Sequence, residues 1–351
     1  MSRYLNQRYQ RLEAYVPGEQ PRDMEYIKLN TNESPYPPAP QVIEAMTGED
    51  VALLRLYSDP TGKGLKEKLA GLYGVSSENI FLSNGSDDIL NFAFMAFAQD
   101  GAVFPDISYG FYPVFAQLHG ISFEQIPLCD DFSVNANDYF NQNRMVVLAN
   151  PNAPTGMMIP VSEIERILQS NRDSVVVIDE AYVDFGGESC YPLIRRYENL
   201  LVVRTFSKSR CMAGARLGYA IGSAELIADL EKIKYSTNPY NVNRLTMKLG
   251  EVTVDAEDYY QEKCCCIMAD RQWTKQKLEE LGFAVLPSCA NFLFASSSKI
   301  SGETLYRELK ARGVLIRHFS KPRISDYIRI TIGTRQQMEK FIETVAQIIG
   351  G

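Results

Sequence analysis

Three long apolar runs rich in β-branched residues occupy the middle of the chain. They read MVVLAN at 145–150, VVVIDEAY at 175–182 and LLVVRTFS at 200–207. Uninterrupted apolar runs of this length are typical of strands that a parallel sheet buries on both faces, because a half-exposed strand alternates apolar and polar residues. The sequence SEIE at 162–165 predicts a capping-box start for a crossover helix that ends near residue 170. These segments together predict a doubly wound α/β fold with a mostly parallel sheet.

Periodic segments outside this layer predict further helices and strands. A long helical region follows Pro239 and runs to about residue 281, where Gly282 can end it. Other helical periods cover residues 63–73, 87–98, 302–312 and 336–349, and strand-like runs cover 79–82, 283–286, 291–295 and 327–333. We therefore predict an N-terminal arm at residues 1–35 that packs on a small C-terminal α+β domain at 281–351, and a large α/β domain at 36–280.

The charge balance and hydropathy exclude several classes of partner. The chain has 36 Lys and Arg residues against 43 Asp and Glu, a formal net charge of −7, so it offers no basic surface for nucleic acid or anionic lipid. Neither a signal-peptide core nor an apolar run of the roughly 18 residues that a membrane helix needs is present in the sequence. We expect a cytoplasmic protein with no nucleic-acid or membrane partner.

Cysteines and histidines narrow the chemistry further. Seven cysteines, an odd number, do not form the pattern of a disulfide framework. The adjacent Cys264, Cys265 and Cys266 lack the spacing of a zinc site, so we expect no metal and interpret them as buried small hydrophobes. With His119 and His318 as the only histidines, acid–base chemistry falls on lysine, tyrosine, aspartate or arginine unless a cofactor performs it.

Candidate reactive groups follow the apolar runs directly. Thr205-Phe206-Ser207-Lys208 ends the third run and places an amine at the carboxyl edge of the sheet, eight residues before Arg216. Lysine is the amine that forms Schiff bases when burial or nearby positive charge lowers its pKa. Asp179 ends the second run, where a carboxylate is costly to bury unless a cation such as a pyridinium nitrogen meets it.

A third motif predicts a phosphate site. Asn84-Gly85-Ser86-Asp87 lies between a predicted strand and a predicted helix, and free N–H groups at a helix start attract phosphate. The motif is weak by itself. Together with Ser207 and Arg216, it gives three phosphate-binding elements at one edge of the sheet.

The motifs occur in one order along nearly the whole chain, and in this they resemble a known superfamily. N-G-S-D at 84–87, P-N-A-P-T-G at 151–156, D-E-A-Y at 179–182, T-F-S-K at 205–208 with Arg216, and R-I-T-I-G-T at 329–334 resemble the fold-type I pyridoxal-phosphate aminotransferases of the aspartate aminotransferase superfamily. Within it, the chain resembles the histidinol-phosphate aminotransferase branch through A-Y-V-P-G at 14–18, L-N-T-N-E-S-P at 29–35, Y-S-D-P at 57–60 and G-V-L-I-R-H-F at 313–319.

The resemblance implies a pyridoxal 5'-phosphate cofactor in the large domain and a role for each matching residue. Lys208 would carry the cofactor as an imine, Asp179 would pair with the ring nitrogen, and Tyr182 would hydrogen-bond the ring hydroxyl. The other implied cofactor contacts are Gly85, Ser86, Asp87, Ser207 and Arg216 around the phosphate, Tyr109 stacked on the ring, and Tyr57 from the neighbouring subunit of a homodimer. The implied substrate contacts are Arg329, Arg317, Tyr15 and Asn32.

One position departs from the pattern of the superfamily. Many relatives carry a second asparagine where this chain has Ala153, and that asparagine contacts the ring hydroxyl. Either Asn152 takes over this contact or Tyr182 acts with less help.

The implied reaction is amino transfer between L-histidinol phosphate and 2-oxoglutarate or glutamate, a step of histidine biosynthesis. Alternatives on the same scaffold are an aromatic or broad-specificity amino-acid aminotransferase and a pyridoxal-phosphate-dependent phosphothreonine decarboxylase. A cofactor-binding regulator without turnover is a further alternative. It is disfavoured because the chain shows no basic helix pair for DNA.

Overall fold

The computed structural model of the chain describes residues 2–10 and 12–350. Its helices are α1 (Pro40–Glu44), α2 (Gly48–Ala52), α3 (Lys63–Tyr73), α4 (Ser86–Phe97), α5 (Phe111–His119), α6 (Val161–Ser170), α7 (Ala224–Thr237), α8 (Arg244–Asp255), α9 (Glu257–Glu280), α10 (Gly302–Ala311) and α11 (Arg335–Gly350). Its strands are β1 (Ile27–Lys28), β2 (Ile80–Ser83), β3 (Ala102–Pro105), β4 (Phe123–Ile126), β5 (Met145–Ala149), β6 (Val176–Asp179), β7 (Leu200–Thr205), β8 (Gly218–Gly222), β9 (Phe283–Val285), β10 (Phe292–Ser297), β11 (Val314–Leu315), β12 (Arg317–His318) and β13 (Tyr327–Thr331).

A seven-stranded sheet forms the centre of the large domain, in the order β2-β8-β7-β6-β5-β3-β4. Every neighbouring pair from β4 to β7 is parallel, whereas β8 runs antiparallel to both β7 and β2. The three apolar runs form β5, β6 and β7, which are adjacent in the sheet. The predicted doubly wound, mostly parallel α/β fold is confirmed.

Burial on both faces explains why these strands lack polar alternation. Every residue of β5, β6 and β7 is buried. Along β5, Val146 and Leu148 pack into one apolar core with residues of α6, and Met145 and Val147 pack into a second core with residues of α4. Since successive side chains of a strand point to opposite faces, a sheet covered by helices on both sides needs apolar residues at every position.

Two local predictions need correction. The predicted capping box at 162–165 does not form. Helix α6 begins earlier, at Val161, with Pro160 at the N-cap position, and no side chain caps it. The helical region after Pro239 is also two helices, α8 and α9, separated at Ala256. Its end is as predicted, with Gly282 in the left-handed region (φ +91°) directly after α9.

A second, antiparallel sheet of order β12-β13-β10-β9 organises the C-terminal part of the chain. The N-terminal arm contributes β1, which pairs in parallel with β11. Three residues of α9, namely Cys264, Ile267 and Leu278, pack into the same apolar core as residues of β10 and β13. The predicted domain boundaries at 35 and 280 remain predictions, and α9 connects the two sheets.

Neither a metal-binding cluster nor a helix able to cross a membrane occurs among the described residues. The three adjacent cysteines of α9 differ in exposure: Cys264 is buried, Cys265 is exposed and Cys266 is intermediate. The interpretation of all three as buried hydrophobes is therefore wrong for Cys265, because neighbouring side chains on a helix point about 100° apart.

Candidate active site

The carboxyl ends of β5, β6 and β7 open onto a cavity of about 590 Å³. The large sheet, the C-terminal strands and the N-terminal arm all contribute to its lining. The cavity brings together all but three of the site residues predicted from sequence: Tyr15, Asn32, Ser86, Asp87, Tyr109, Asp179, Tyr182, Ser207, Lys208, Arg216, Arg317 and Arg329.

The amine of Lys208 reaches the cavity from the turn that follows β7. Its Nζ lies 3.3 Å from the carbonyl oxygen of Thr31 and 5.8 Å from the ring centre of Tyr182. Burial lowers the pKa of Lys208 to about 8, and the positive charge of Arg329 acts in the same direction. Because the neutral amine is the form that attacks an aldehyde, this lysine is suited to Schiff-base chemistry near neutral pH.

Asp179 ends β6 with a carboxylate buried beside the cavity. Its Oδ2 accepts a hydrogen bond from the Tyr112 hydroxyl at 2.9 Å, and its Oδ1 accepts one from the backbone N–H of Ala181 at 3.2 Å. Burial raises the pKa of Asp179 to about 6, and the charged side chains that act on it most, Asp87 and Glu180, are both acids. A buried carboxylate surrounded in this way is suited to a cation supplied by a ligand.

The Tyr182 hydroxyl is held by the N-terminal arm. Asn32 donates to it from Nδ2 at 3.0 Å and accepts from the Thr331 hydroxyl through Oδ1, also at 3.0 Å. The Tyr182 ring packs edge-on against Phe292, and burial raises the pKa of its hydroxyl. Asn32 was expected to contact substrate. In the structure its amide holds Tyr182 and it also lines the cavity, so the expected substrate contact stays a prediction.

Several hydrogen-bond donors lie around the start of α4, and we call this group the cup: the backbone N–H groups of Ser86 and Asp87, the Ser207 hydroxyl and the Arg216 guanidinium. The N-cap residue Gly85 has no side chain to cap this helix, which leaves backbone N–H groups of the first turn beside the cavity. The guanidinium of Arg216 lies next to them, with Nη1 3.3 Å from Ser207 Oγ and Nη2 3.1 Å from Asp87 Oδ2. The helix terminus and the guanidinium together favour a phosphate group.

Close backbone packing holds this cup in place. Gly218 begins β8 against the peptide that joins Gly85 to Ser86, and a Cβ at Gly218 would lie 2.5 Å from both the Gly85 carbonyl carbon and the Ser86 nitrogen. Both are backbone atoms, which cannot rotate away as the end of a side chain does. The site therefore requires glycine at position 218.

Replacing Gly218 with alanine is expected to displace this peptide and weaken the binding of pyridoxal phosphate at least about tenfold, since losing one hydrogen bond to a charged group costs about 1.5–3 kcal/mol. Fluorescence titration of the apoprotein with pyridoxal phosphate measures the change. Gly71→Ala is the matched control, because a Cβ there meets nothing within 4 Å. Equal affinities of the two variants for pyridoxal phosphate would contradict the requirement for glycine at position 218.

Two guanidinium groups from the C-terminal strands line another part of the cavity. Arg329 on β13 donates from Nη2 to the Asn30 carbonyl at 2.8 Å, and its buried Nε has no partner among the described residues. Arg317 on β12 faces Arg329 directly across the antiparallel pair, so the two side chains share one face of the sheet. Paired guanidinium groups are suited to a phosphate or a carboxylate.

Aromatic side chains form one wall of the cavity. The Tyr109 hydroxyl donates to Asp87 Oδ1 at 2.7 Å. Tyr15 of the arm stacks on Phe111 with ring centres 4.2 Å apart, and its ring centre lies 6.4 Å from that of Tyr109. Burial raises the pKa of both tyrosine hydroxyls, so both act as neutral hydrogen-bonding groups.

Asn152 does not take the place expected for it. Its side chain is buried outside the cavity lining, with Nδ2 donating to the Ile107 carbonyl and the Thr155 hydroxyl and Oδ1 accepting from the Ser108 hydroxyl at 2.7 Å. Both hydrogens of the amide and one lone pair of its oxygen are thereby used by the loops that it joins. We therefore leave Asn152 out of the proposed cofactor site, and Tyr182 with Asn32 remains to serve the ring hydroxyl.

The other two predicted residues outside the cavity lining have different positions. Gly85 lies directly behind the cup as the N-cap of α4, and a Cβ there would come within 2.6 Å of Arg216 Nη2. Tyr57 is 77% exposed and stacks on Tyr240 with ring centres 4.5 Å apart. Its side chain points to the surface.

Sequence reasoning missed three contacts that shape the site. They are the hydrogen bond from Tyr112 to Asp179, the contact of Thr31 with Lys208, and the packing of Gly218 on the cup. None of these contacts has a local signal, because each joins segments that are far apart in sequence.

The three parts of this cavity fit the three reactive features of pyridoxal 5'-phosphate. A buried amine of lowered pKa suits the aldehyde, a buried acid whose most influential charged neighbours are themselves acids suits the ring nitrogen, and an uncapped helix start beside a guanidinium suits the phosphate.

Comparison with known proteins agrees with this geometry. The family described as aminotransferase class I and II matches residues 24–345. The chain is 47% identical to the histidinol-phosphate aminotransferase of Brachyspira hyodysenteriae, over 99% of each chain, and 46% identical to that of Clostridium acetobutylicum, over 99% of this chain and 100% of the other. Its fold matches that of histidinol-phosphate aminotransferase from Sinorhizobium meliloti in complex with pyridoxal-5'-phosphate, with a TM-score of 0.83, 24% identity, and 93% and 92% of the two chains covered. The chain therefore belongs to the histidinol-phosphate aminotransferases, pyridoxal-phosphate-dependent enzymes among the class I and II aminotransferases.

Proposed function

We propose that the protein transfers the amino group of L-histidinol phosphate to 2-oxoglutarate, with glutamate as the second product, in histidine biosynthesis. The observation that carries the proposal is the placement of Arg317 and Arg329 in the same cavity as Lys208. Both substrates bear an anionic group at a distance from the reacting carbon, and two guanidinium groups can grip a phosphate or a carboxylate. The full-length relatives with this name support the same substrate.

Lys208 is the proposed acid–base catalyst. When bound, the cofactor supplies an aldehyde that exchanges amines and a ring that accepts electrons. Nζ of Lys208 takes the proton from the amine-bearing carbon of the substrate and returns a proton later in the same half-reaction. With its pKa lowered to about 8 by burial, a useful fraction of this amine is neutral near pH 7.5.

Other residues hold the reacting groups in place. Asp179 would keep a proton on the ring nitrogen by offering it a buried carboxylate, and Tyr182, held by the hydrogen bond from Asn32, would hydrogen-bond the ring hydroxyl. Tyr109 would stack on the ring. Ser207, Arg216 and the backbone of Gly85, Ser86 and Asp87 would hold the phosphate. Arg329, Arg317 and Tyr15 would bind the substrate, and the aromatic wall would exclude water from it.

The exposed position of Tyr57 supports a homodimer with shared sites. Several large apolar side chains near it are exposed as well, including Leu54 at 50% and Leu56 at 46%. An apolar surface around an outward-pointing tyrosine is suited to a second copy of the chain. In this arrangement Tyr57 would reach the cofactor phosphate of the neighbouring subunit. We place the enzyme in the cytoplasm.

A substrate panel tests the proposed function. The purified holoenzyme is mixed with histidinol phosphate, histidinol, phenylalanine or phosphothreonine, and the change in the visible cofactor absorbance is followed together with carbon dioxide release. Histidinol phosphate is expected to react with a kcat/KM at least about 100-fold above histidinol, because removing the phosphate leaves two arginines without their partner. A preference for phenylalanine would favour an aromatic aminotransferase, and carbon dioxide from phosphothreonine would favour the decarboxylase.

Replacing Arg329 with alanine is expected to raise the KM for both histidinol phosphate and 2-oxoglutarate about 100-fold, since one guanidinium is proposed to serve both reactants and each lost charged hydrogen bond costs about 1.5–3 kcal/mol. Steady-state kinetics with each substrate varied in turn measures the effect. Arg307→Ala is the control, because Arg307 lies on α10 with a side chain that is 67% exposed. A rise for one substrate alone would assign Arg329 to that substrate only.

A further inference from the structure

A partly buried network of charged side chains lies behind the turn that carries Lys208. It contains two arginines, Arg204 and Arg210, and three acids, Glu180, Asp184 and Glu257. Arg204, Arg210 and Glu180 are all less than 10% exposed. None of the five lines the cavity, so the chemistry described above makes no direct use of them.

Asp184, whose side chain is 31% exposed, is the centre of this network. One of its carboxylate oxygens pairs with the Arg204 guanidinium, and the other accepts a hydrogen bond from the hydroxyl of Ser209. Arg204 also lies 3.8 Å from Glu180 Oε2. Although burial opposes ionisation, Arg204 and Arg210 hold the pKa of Asp184 below its usual range, so this acid is charged at neutral pH.

Apart from Glu257, each residue of the network, and Ser209 beside it, lies one or two positions in sequence from a residue that lines the cavity. Glu180 follows Asp179, Asp184 lies two residues after Tyr182, and Ser209 follows Lys208. Because successive side chains of an extended chain point to opposite faces, Asp179 reaches the cavity while Glu180 reaches the network. Arg204 and Thr205 are divided between the network and the cavity in the same way.

Deeply buried ionic groups are costly to desolvate, and an apolar cluster of similar volume often gives equal or greater stability. The charged network instead provides hydrogen bonds and ion pairs of defined geometry. Through the hydrogen bond from Ser209 and the ion pair with Arg204, Asp184 holds the segment 179–184 in one position relative to the turn 207–209. A difference of about 1 Å between a catalytic group and its target is enough to slow a reaction about 100-fold.

We propose that Asp184, Arg204 and Ser209 are positioning residues that lock the segment of Asp179 and Tyr182 to the turn of Lys208. This inference rests on the proposed function. It adds that the distance between the amine and the cofactor ring is set by contacts behind the cavity, among residues that touch neither substrate nor cofactor.

Ser209→Ala tests the proposal with the smallest change, since it removes one hydroxyl and leaves the ion pair. In the holoenzyme, kcat is expected to fall about fivefold with KM unchanged, and the midpoint of the pH titration of the visible cofactor band is expected to move by about half a pH unit. Ser209→Thr keeps the hydroxyl and is expected to restore both values. Asp184→Asn is expected to lower kcat further, by about 50-fold, because it also weakens the pair with Arg204.

Thr344→Val is the matched control. Thr344 is a buried residue of α11 whose hydroxyl donates to the Lys340 carbonyl, so the variant loses one buried hydroxyl far from the site. Its Tm is expected to fall as in Ser209→Ala, with kcat and the band titration unchanged. If Ser209→Ala behaves like this control, the network is structural and the inference is overturned. A wild-type protein without a visible band in the presence of pyridoxal phosphate would instead overturn the proposed function.

Discussion

Replacing Lys208 with alanine is expected to abolish the imine absorbance of the bound cofactor and to lower kcat by about 10⁴-fold or more. The loss of a general base alone accounts for about 10²- to 10⁴-fold, and here the same side chain also forms the covalent bond to the cofactor. Lys321 is the other lysine that lines the cavity in the described part of the chain, and its Nζ is engaged with the Asp106 carbonyl at 3.1 Å. It cannot take over the role of Lys208.

Two measurements check this expectation independently of turnover. The first is the visible spectrum of the purified variant with added pyridoxal phosphate. The second is borohydride reduction followed by peptide mass analysis, which in the wild-type protein is expected to leave the cofactor mass on the peptide that contains Lys208. Lys321→Ala is the control and is expected to keep both the band and the labelled peptide. A Lys208→Ala variant with the wild-type band and full turnover would refute the assignment.

The sequence predicts the reactive groups of this site well because each follows a strand that the sequence also predicts. Lys208 comes directly after β7, Asp179 ends β6, and Ser86 begins α4 after β2. The parallel strands β6 and β7 lie side by side, and their carboxyl ends meet at one edge of the sheet. The strand patterns alone therefore predict that Lys208 and Asp179 lie close together, and side-chain packing need not be known.

Contacts between distant segments could not be predicted in the same way. Asn32 meets Tyr182 across 150 positions of sequence, and Tyr112 meets Asp179 across 67. Neither pair has a spacing that a helix or a hairpin would impose. Each depends on how the arm and α5 pack on the finished sheet.

Asn152 shows what residue type and position in the sequence cannot predict. The sequence gives an amide at the end of β5, which suits a contact with the cofactor, but it does not give the direction of the side chain. In the structure, that amide is hydrogen-bonded to loop atoms of Ile107, Ser108 and Thr155 and lies outside the cavity lining. The predicted start of α6 is wrong for a related reason. Pro160 occupies the N-cap position, so Ser162, the predicted N-cap, lies inside the helix.

Asp179→Asn is expected to make the apoprotein more stable at pH 8 and the holoenzyme less active. Burial raises the pKa of Asp179 from 3.8 to about 6, so at pH 8 the folded apoprotein carries an ionised acid that its surroundings disfavour. Between about pH 4 and pH 6 the folded state holds a proton that the unfolded chain has lost, and the contribution of this group to stability falls as the pH rises through that window. The neutral asparagine removes this cost, which is about 3 kcal/mol at pH 8.

The same change is expected to lower kcat/KM by about 10²- to 10³-fold. An amide cannot hold the positive charge of a protonated ring nitrogen, and removing one partner of a buried charge pair costs about 3–5 kcal/mol. Tyr112→Phe is the companion variant: it deletes the hydroxyl that donates to Asp179 and leaves the carboxylate, so a loss of about tenfold is expected.

Urea unfolding of the apoprotein at pH 5 and pH 8 measures the first effect, and kinetics of the holoenzyme measures the second. The free energy of unfolding of Asp179→Asn should exceed that of the wild type at pH 8 and approach it at pH 5, where the native carboxyl is largely protonated. Saturating pyridoxal phosphate should stabilise the wild type more than the variant, because only the wild type gains a charge partner. An apoprotein destabilised equally at both pH values would mean that Asp179 contributes to the fold through its hydrogen bonds, and that the buried carboxylate is not held ready for a cationic ring.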